Sequence, residues 1–174
     1  MILRLSTTLN SDIDTIWKYL QYPATLEFIA DPVLKFDYST DPPADRWKQK
    51  EYPVQLKVFS IIPFGNHIIR IEIPENNTGY YRQLRDNGYG DLIQLWDHRI
   101  TLVDMDNKKV KYTDELKIKA GLLTPFVWFF ARIFYAWRQY RWKVLVSNEF
   151  KQVKNEKGAV SKVTRHSERS EESR

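Results

Sequence analysis

Residues 96–145 read WDHRITLVDMDNKKVKYTDELKIKAGLLTPFVWFFARIFYAWRQYRWKVL. Two alternating segments are followed by a glycine and one long aromatic-rich segment. In 92–103, Leu92, Gln94, Trp96, His98, Ile100 and Leu102 share one face, and Asp97, Arg99 and Thr101 lie on the other. In 109–119, Val110, Tyr112, Asp114, Leu116 and Ile118 share a face, and Lys111, Thr113, Glu115, Lys117 and Lys119 oppose them. A period of two marks half-buried strands. Thr124-Pro125 supplies a capping residue followed by proline at the first helical position. The spacing predicts a helix from there to about Lys151, with Phe126, Phe130, Ile133, Trp137, Tyr140 and Val144 near one face. Nine residues from Phe126 to Trp142 are aromatic. Such a helix needs a large apolar partner, and the strands can build one.

The rest of the chain extends this pattern. Leu3, Leu5 and Leu9 alternate with polar residues in an opening strand. Ser11 then caps a short helix carrying Ile13, Ile16, Trp17 and Leu20, with Asp12 and Asp14 in its first turn. Pro23 opens a second short helix that ends at Asp31-Pro32. Further strands are read at 33–38, near 54–58, at 68–73 and from Tyr80. Pro63 to Asn66 and Asn87-Gly88 are read as turns. Short links between strands imply antiparallel neighbours. Seven antiparallel strands cannot cover one helix as a flat layer, so the sheet must curl and leave a hollow beneath the helix. The expectation is an α+β domain over residues 1–150, in which a curled seven-stranded antiparallel sheet grips a long C-terminal helix. Two short helices follow its first strand. Residues 151–174 are polar and charged, and are read as a disordered tail.

Composition narrows the function classes. The chain has no cysteine, which excludes disulfides, thiol catalysis and Cys-ligated metals. The net charge is +5, but 151–174 hold 7 Lys/Arg against 4 Asp/Glu. The globular part is nearly balanced and shows no basic stripe suited to nucleic acid. The apolar run Phe126–Trp137 is interrupted by Arg132 and is too short to span a bilayer. The opening residues MILRLSTTL read as a strand rather than a signal peptide. A cytoplasmic protein is therefore expected. Asp91, Asp104 and Asp106 lack metal-ligand spacing. No cofactor or metal is expected.

Two ionisable groups break the apolar faces of the key strands: His98 and Asp114. Directly opposite residues of an antiparallel pair point to the same face. A three-residue loop, Met105-Asp106-Asn107, sets Leu102 opposite Val110, Ile100 opposite Tyr112 and His98 opposite Asp114. A His98–Asp114 pair on the concave face is therefore expected. Asp114 could orient His98 and raise its proton affinity, giving a ligand contact or a general acid–base. Equally, the two groups could satisfy each other and steady the hairpin. His67, beside a turn, is read as a surface residue. Arg132, Arg138 and Arg141 could hold an anionic head group, lie in solvent or pair with strand carboxylates.

The order of elements resembles the helix-grip fold of the START/polyketide-cyclase superfamily, also called SRPBCC proteins. The resemblance rests on the opening strand followed by SDIDTIWKYL (11–20), on WDHRITL (96–102), on YTDELKI (112–118), and on Gly121 leading into FARIFYAWRQYRWKVL (130–145). It is closest to the small stand-alone bacterial members. It implies binding of an apolar small molecule or lipid between sheet and helix. Lipid carriers, hormone receptors, cyclases and chaperone activators share this fold, so fold alone leaves activity open. The expected lining is His98, Asp114, Tyr112, Trp96, Ile100, Leu116, Phe130, Ile133 and Trp137. One alternative is a cyclase- or dehydratase-type enzyme using His98 and Asp114. Another is a module that docks to a membrane or protein through Trp128, Phe129 and the basic tail. A fourth outcome is a hollow filled by the helix aromatics.

Overall fold

The computed structural model describes residues 1–38 and 42–154. The elements are β1 (Ile2–Leu9), α1 (Ile13–Leu20), α2 (Pro23–Ala30), β2 (Leu34–Asp37), β3 (Glu51–Val58), β4 (Ile62–Glu72), β5 (Tyr81–Gly90), β6 (Leu95–Asp104), β7 (Val110–Lys119), a 3-10 turn at Gly121–Leu123 and α3 (Thr124–Ser147). The strands form one sheet in the order β1-β7-β6-β5-β4-β3-β2. Every neighbouring pair is antiparallel. This is the expected α+β architecture, a curled seven-stranded sheet with a long C-terminal helix and two short helices after the first strand. Phe150 and Val153 are buried. Packing thus reaches past the boundary at residue 150 read from the sequence. The tail reading for residues 155–174 lies outside the described residues.

Local signals explain the element ends, with some displacement. The N-cap of α1 is Asp12 rather than Ser11. Its carboxylate accepts the Thr15 N–H at 2.7 Å. Thr124 opens α3, and its Oγ accepts the Ala120 N–H at 2.9 Å. The turn between β3 and β4 lies at Phe59–Ile61, with Phe59 and Ser60 at positive φ. The expected turn at Pro63–Asn66 is instead part of β4, where Gly65 (φ 94°) sits beside a register shift at Leu56/Lys57.

Asn87-Gly88 is not a turn either. β5 runs straight through it to Gly90. Glycine is required there by close approach. A Cβ on Gly88 would come within 2.6 Å of the Ile68 carbonyl oxygen and 2.8 Å of His67 Nε2. A Cβ on Gly90 would come within 2.4 Å of the Asn66 carbonyl oxygen. Both glycines make room for β4 and the His67 ring.

The β6–β7 register keeps the expected parity but is shifted by two residues. Leu102 lies opposite Tyr112, Ile100 opposite Asp114 and His98 opposite Leu116. The loop is longer than three residues because Asp106, Asn107 and Lys108 all adopt positive φ before Val110 pairs with Asp104. Parity survives because a two-residue slip keeps each side chain on its face.

The face of α3 is the main departure. Val127, Ala131, Phe134, Tyr135, Arg138, Gln139, Trp142 and Leu145 are buried. The stripe expected from spacing is rotated by about one residue, roughly 100° around the helix. Phe126 (74 %), Ile133 (57 %) and Tyr140 (56 %) are exposed. Both stripes are rich in aromatics, so apolar content could not choose between them. The sheet chose the stripe containing small Ala131, where helix and β1 approach. Replacing Trp142, fully buried and 5.5 Å from the Tyr112 ring, with Ala should cost about 3–5 kcal/mol. Ile133→Ala should stay within about 0.5 kcal/mol. Urea unfolding of the two variants reads this directly, and equal losses would refute the helix orientation.

Candidate functional site

Between β2–β6, α2 and α3 lies a hollow. Its volume is about 80 Å³. The helix aromatics Phe130, Phe134 and Tyr135 form one wall of it. Its walls are largely apolar, including Leu84 from β5, Ile100 from β6 and Phe134 from α3. Its polar lining residues are Thr25, His67, Asp86, His98, Tyr135 and Arg138, beside the indoles of Trp47 and Trp96.

Strand parity delivers most of these. His67 shares the odd-numbered face of β4 with Ile69 and Ile71, all three buried. Asp86 follows Leu84 on β5 and lies directly opposite His98 of β6. Asp86 Oδ1 accepts the Arg70 backbone N–H at 3.0 Å. Asp86 is half-buried and lines the hollow. That burial pushes its pKa up to about 7, against partial opposition from the Arg70 N–H and the charge of Arg138. Burial also pushes His67 down to about 4.

Next to this row is a closed polar network. His98 Nε2 and Asp114 Oδ1 are 2.8 Å apart. The Tyr112 hydroxyl donates to the same oxygen at 3.1 Å, and Gln139 Nε2 donates to Oδ2 at 2.9 Å. Asp114 thus accepts donors from β6, from its own strand and from α3. Burial opposes its charge, but the bonds from His98 and Gln139 and the Arg138 charge hold its pKa below the usual carboxylate value. With an ionised partner, His98 carries its proton on Nε2, leaving Nδ1 as the acceptor. The proton affinity of His98 is lowered, not raised as expected from the sequence. Burial outweighs the bond to Asp114, and Arg138 adds repulsion.

Arg138 is the least satisfied group of the set. It is 4 % exposed, and its Nε has no hydrogen-bond partner. Among the described residues no carboxylate lies within 4.0 Å of it. Its guanidinium sits over the Tyr135 ring at 4.7 Å and the Phe134 ring at 5.7 Å.

No family model matches the sequence, and no curated protein does. Solved structures do match the fold. A START superfamily protein from Mycobacterium smegmatis aligns with a TM-score of 0.57 at 10% identity, over 84% of this chain and 97% of that one. A conserved protein from Geobacillus kaustophilus aligns with a TM-score of 0.56 at 12% identity, over 85% and 96% of the two chains. A protein from Chromobacterium violaceum gives 0.57 at 15% identity, over 83% and 96%. The fold is START-like.

In this START-like frame the sequence-derived residues divide. Trp96, His98, Ile100 and Phe130 line the hollow. Asp114, Tyr112 and Leu116 face inward on β7 but are buried away from it, with Gln139 on Asp114 and Trp142 against Tyr112. Ile133 and Trp137 are on the wrong side of α3. Ile133 faces solvent, and Trp137 Nε1 donates to the Asp31 carbonyl at 3.0 Å, tying α3 to the end of α2. Arg141 also ends there, donating to the Phe28 carbonyl at 2.9 and 3.2 Å. It caps the C-terminal turn of α2, where a cation is favoured. Arg132 is exposed. Trp128 is half-buried, with Nε1 on the Ile2 carbonyl, whereas Phe129 is exposed. His67, read as a surface residue, is buried, since its parity follows Ile69 and Ile71 rather than the adjacent turn. Asp86 and Tyr135 were missed, and Arg138, named with Arg132 and Arg141 as a possible head-group contact, is the one of the three that lines the hollow. Continuing the Leu84 parity by one step would have found Asp86, had the Asn-Gly pair not suggested a turn.

Proposed function

We propose that the protein binds an apolar small molecule or lipid in the hollow between the curled sheet, α2 and α3. The observation that carries this is an apolar slot into which a few polar groups converge, the usual form of a small-molecule site. The START-like fold supports it, since its superfamily includes carriers and receptors of such ligands. Among the described residues no helix is long and apolar enough to cross a membrane.

Leu84→Trp should fill the slot from β5. The expected result is a co-purified or added apolar ligand seen by native mass spectrometry on the natural chain and lost on the variant, with little loss of fold. A natural chain that stays empty against a broad panel of apolar compounds would overturn the reading. A second reading, acid–base catalysis on a bound ligand, is favoured by the opposition of Asp86, poised to about pH 7, and His98. There His98→Gln should lower turnover by about 100-fold or more rather than weaken binding modestly. The exposed row Leu122, Phe126, Phe129 and Ile133 also supports a peripheral contact with a membrane or protein.

A further inference from the structure

We propose that Arg138 and Asp86 form a head-group subsite within the hollow, selective for a single carboxylate on an otherwise apolar ligand. This rests on the ligand-binding reading above and adds the chemical class. A buried guanidinium without partners is costly unless something accepts its donors. Arg138 is more than nine-tenths buried, lines the hollow, and has an orphaned Nε. The neighbouring carboxylate of Asp114 is already fully engaged by His98, Tyr112 and Gln139. Asp86 lines the same space from β5, with Oδ1 on the Arg70 N–H and Oδ2 in no hydrogen bond among the described residues. Protonated, that second oxygen is a donor. Guanidinium N–H and carboxyl O–H together match the two oxygens of a carboxylate.

Charge selects the carboxylate over a phosphate. The groups around Asp86 are Arg138 from α3, Asp97 and His98 from β6, Glu72 and His67 from β4, and Tyr38. Those around Arg138 are Tyr135, Tyr112, Asp114 and Asp86. With both histidines neutral, the interior holds one cation and the engaged Asp114. With Asp86 protonated those two charges cancel, so a bound carboxylate leaves the interior at −1, a charge the unpaired Arg138 donor and the Asp86 O–H stabilise by hydrogen bonding, whereas a dianionic phosphate leaves it at −2 with no further cation to offset it. Carboxylate binding is therefore coupled to protonation of Asp86, and weakens as Asp86 ionises.

The test is calorimetric titration of the full chain with decanoate and with 1-decanol, which share one apolar body. At pH 6 decanoate should bind at least about tenfold tighter. Its affinity should fall about tenfold by pH 8, as one proton must be taken up. Arg138→Met should erase the preference for acid over alcohol, and Asp86→Asn should flatten the pH dependence. If Arg138→Met does not fold, the acid-to-alcohol ratio of the natural chain and the Asp86→Asn profile still decide. Equal binding of acid and alcohol, or a pH-independent ratio above one that Arg138→Met leaves intact, would overturn the subsite and leave the ligand-binding reading standing. Binding of neither compound would overturn both.

Discussion

Asp114→Ala is expected to destabilise the protein by about 3–5 kcal/mol, the loss typical of breaking a buried charged network on one side. The carboxylate accepts three donors from three parts of the fold. Removing it leaves the buried His98 N–H, Tyr112 hydroxyl and Gln139 amide without their shared acceptor. Asp114→Asn keeps the shape and one acceptor oxygen, so a smaller loss of about 1–3 kcal/mol is expected. Urea unfolding followed by tryptophan fluorescence measures both. A loss below about 1 kcal/mol for the alanine variant would show that the network adds little to the fold. Because the Asp114 pKa is depressed in the folded state, its contribution is present above the ordinary value of 3.8 and fades as pH falls through the folded value. His98 and His67 are also depressed, but from 6.5. As bases they favour the unfolded chain once pH drops below 6.5, so acid loosening should begin there, with the His67 part complete near pH 4.

The opposite sign is expected at Asp86. Its folded pKa is raised from 3.8 to about 7. Its contribution to stability is therefore complete below 3.8 and is lost as pH rises through 7. At pH 8 the folded protein carries a carboxylate that its interior disfavours. Asp86→Asn should remove this liability, raising stability at pH 8 by at most about 4 kcal/mol, the full equivalent of the shift. Water in the hollow and the lost attraction to Arg138 both reduce that figure. The asparagine oxygen can still accept the Arg70 N–H. The gain should vanish below pH 4, where Asp86 is protonated in both states. Unfolding free energies at pH 4 and pH 8 supply the comparison, and a variant no more stable at pH 8 would mean that Asp86 is hydrated and unperturbed. A residue held at a stability disadvantage inside a hollow fits a functional role better than a structural one.

The sequence by itself determined the architecture. Period-two alternation in residues 96–118 and the Thr124-Pro125 start specified strands and helix, because each face must be apolar on one side only. Strand parity alone placed His98 and Asp114 on the concave face and brought them together. That survived a two-residue error in register, since such a slip preserves the face. What parity could not supply was depth. Asp114, Tyr112 and Leu116 point inward like Trp96 and Ile100, yet α3 lies over the first group and leaves the second beside open space. Local rules also failed where a tertiary neighbour set the requirement. Gly88 and Gly90 are glycine because the β4 backbone and the His67 ring crowd them, not because the chain turns. The face of α3 was decided only by packing. Two stripes of similar aromatic content were available, and the buried one carries Arg138 and Gln139, which a hydrophobicity argument sends to solvent. They are inside because Gln139 completes the Asp114 network and Arg138 faces the hollow, and both reasons exist only once strands 86–116 and the helix meet.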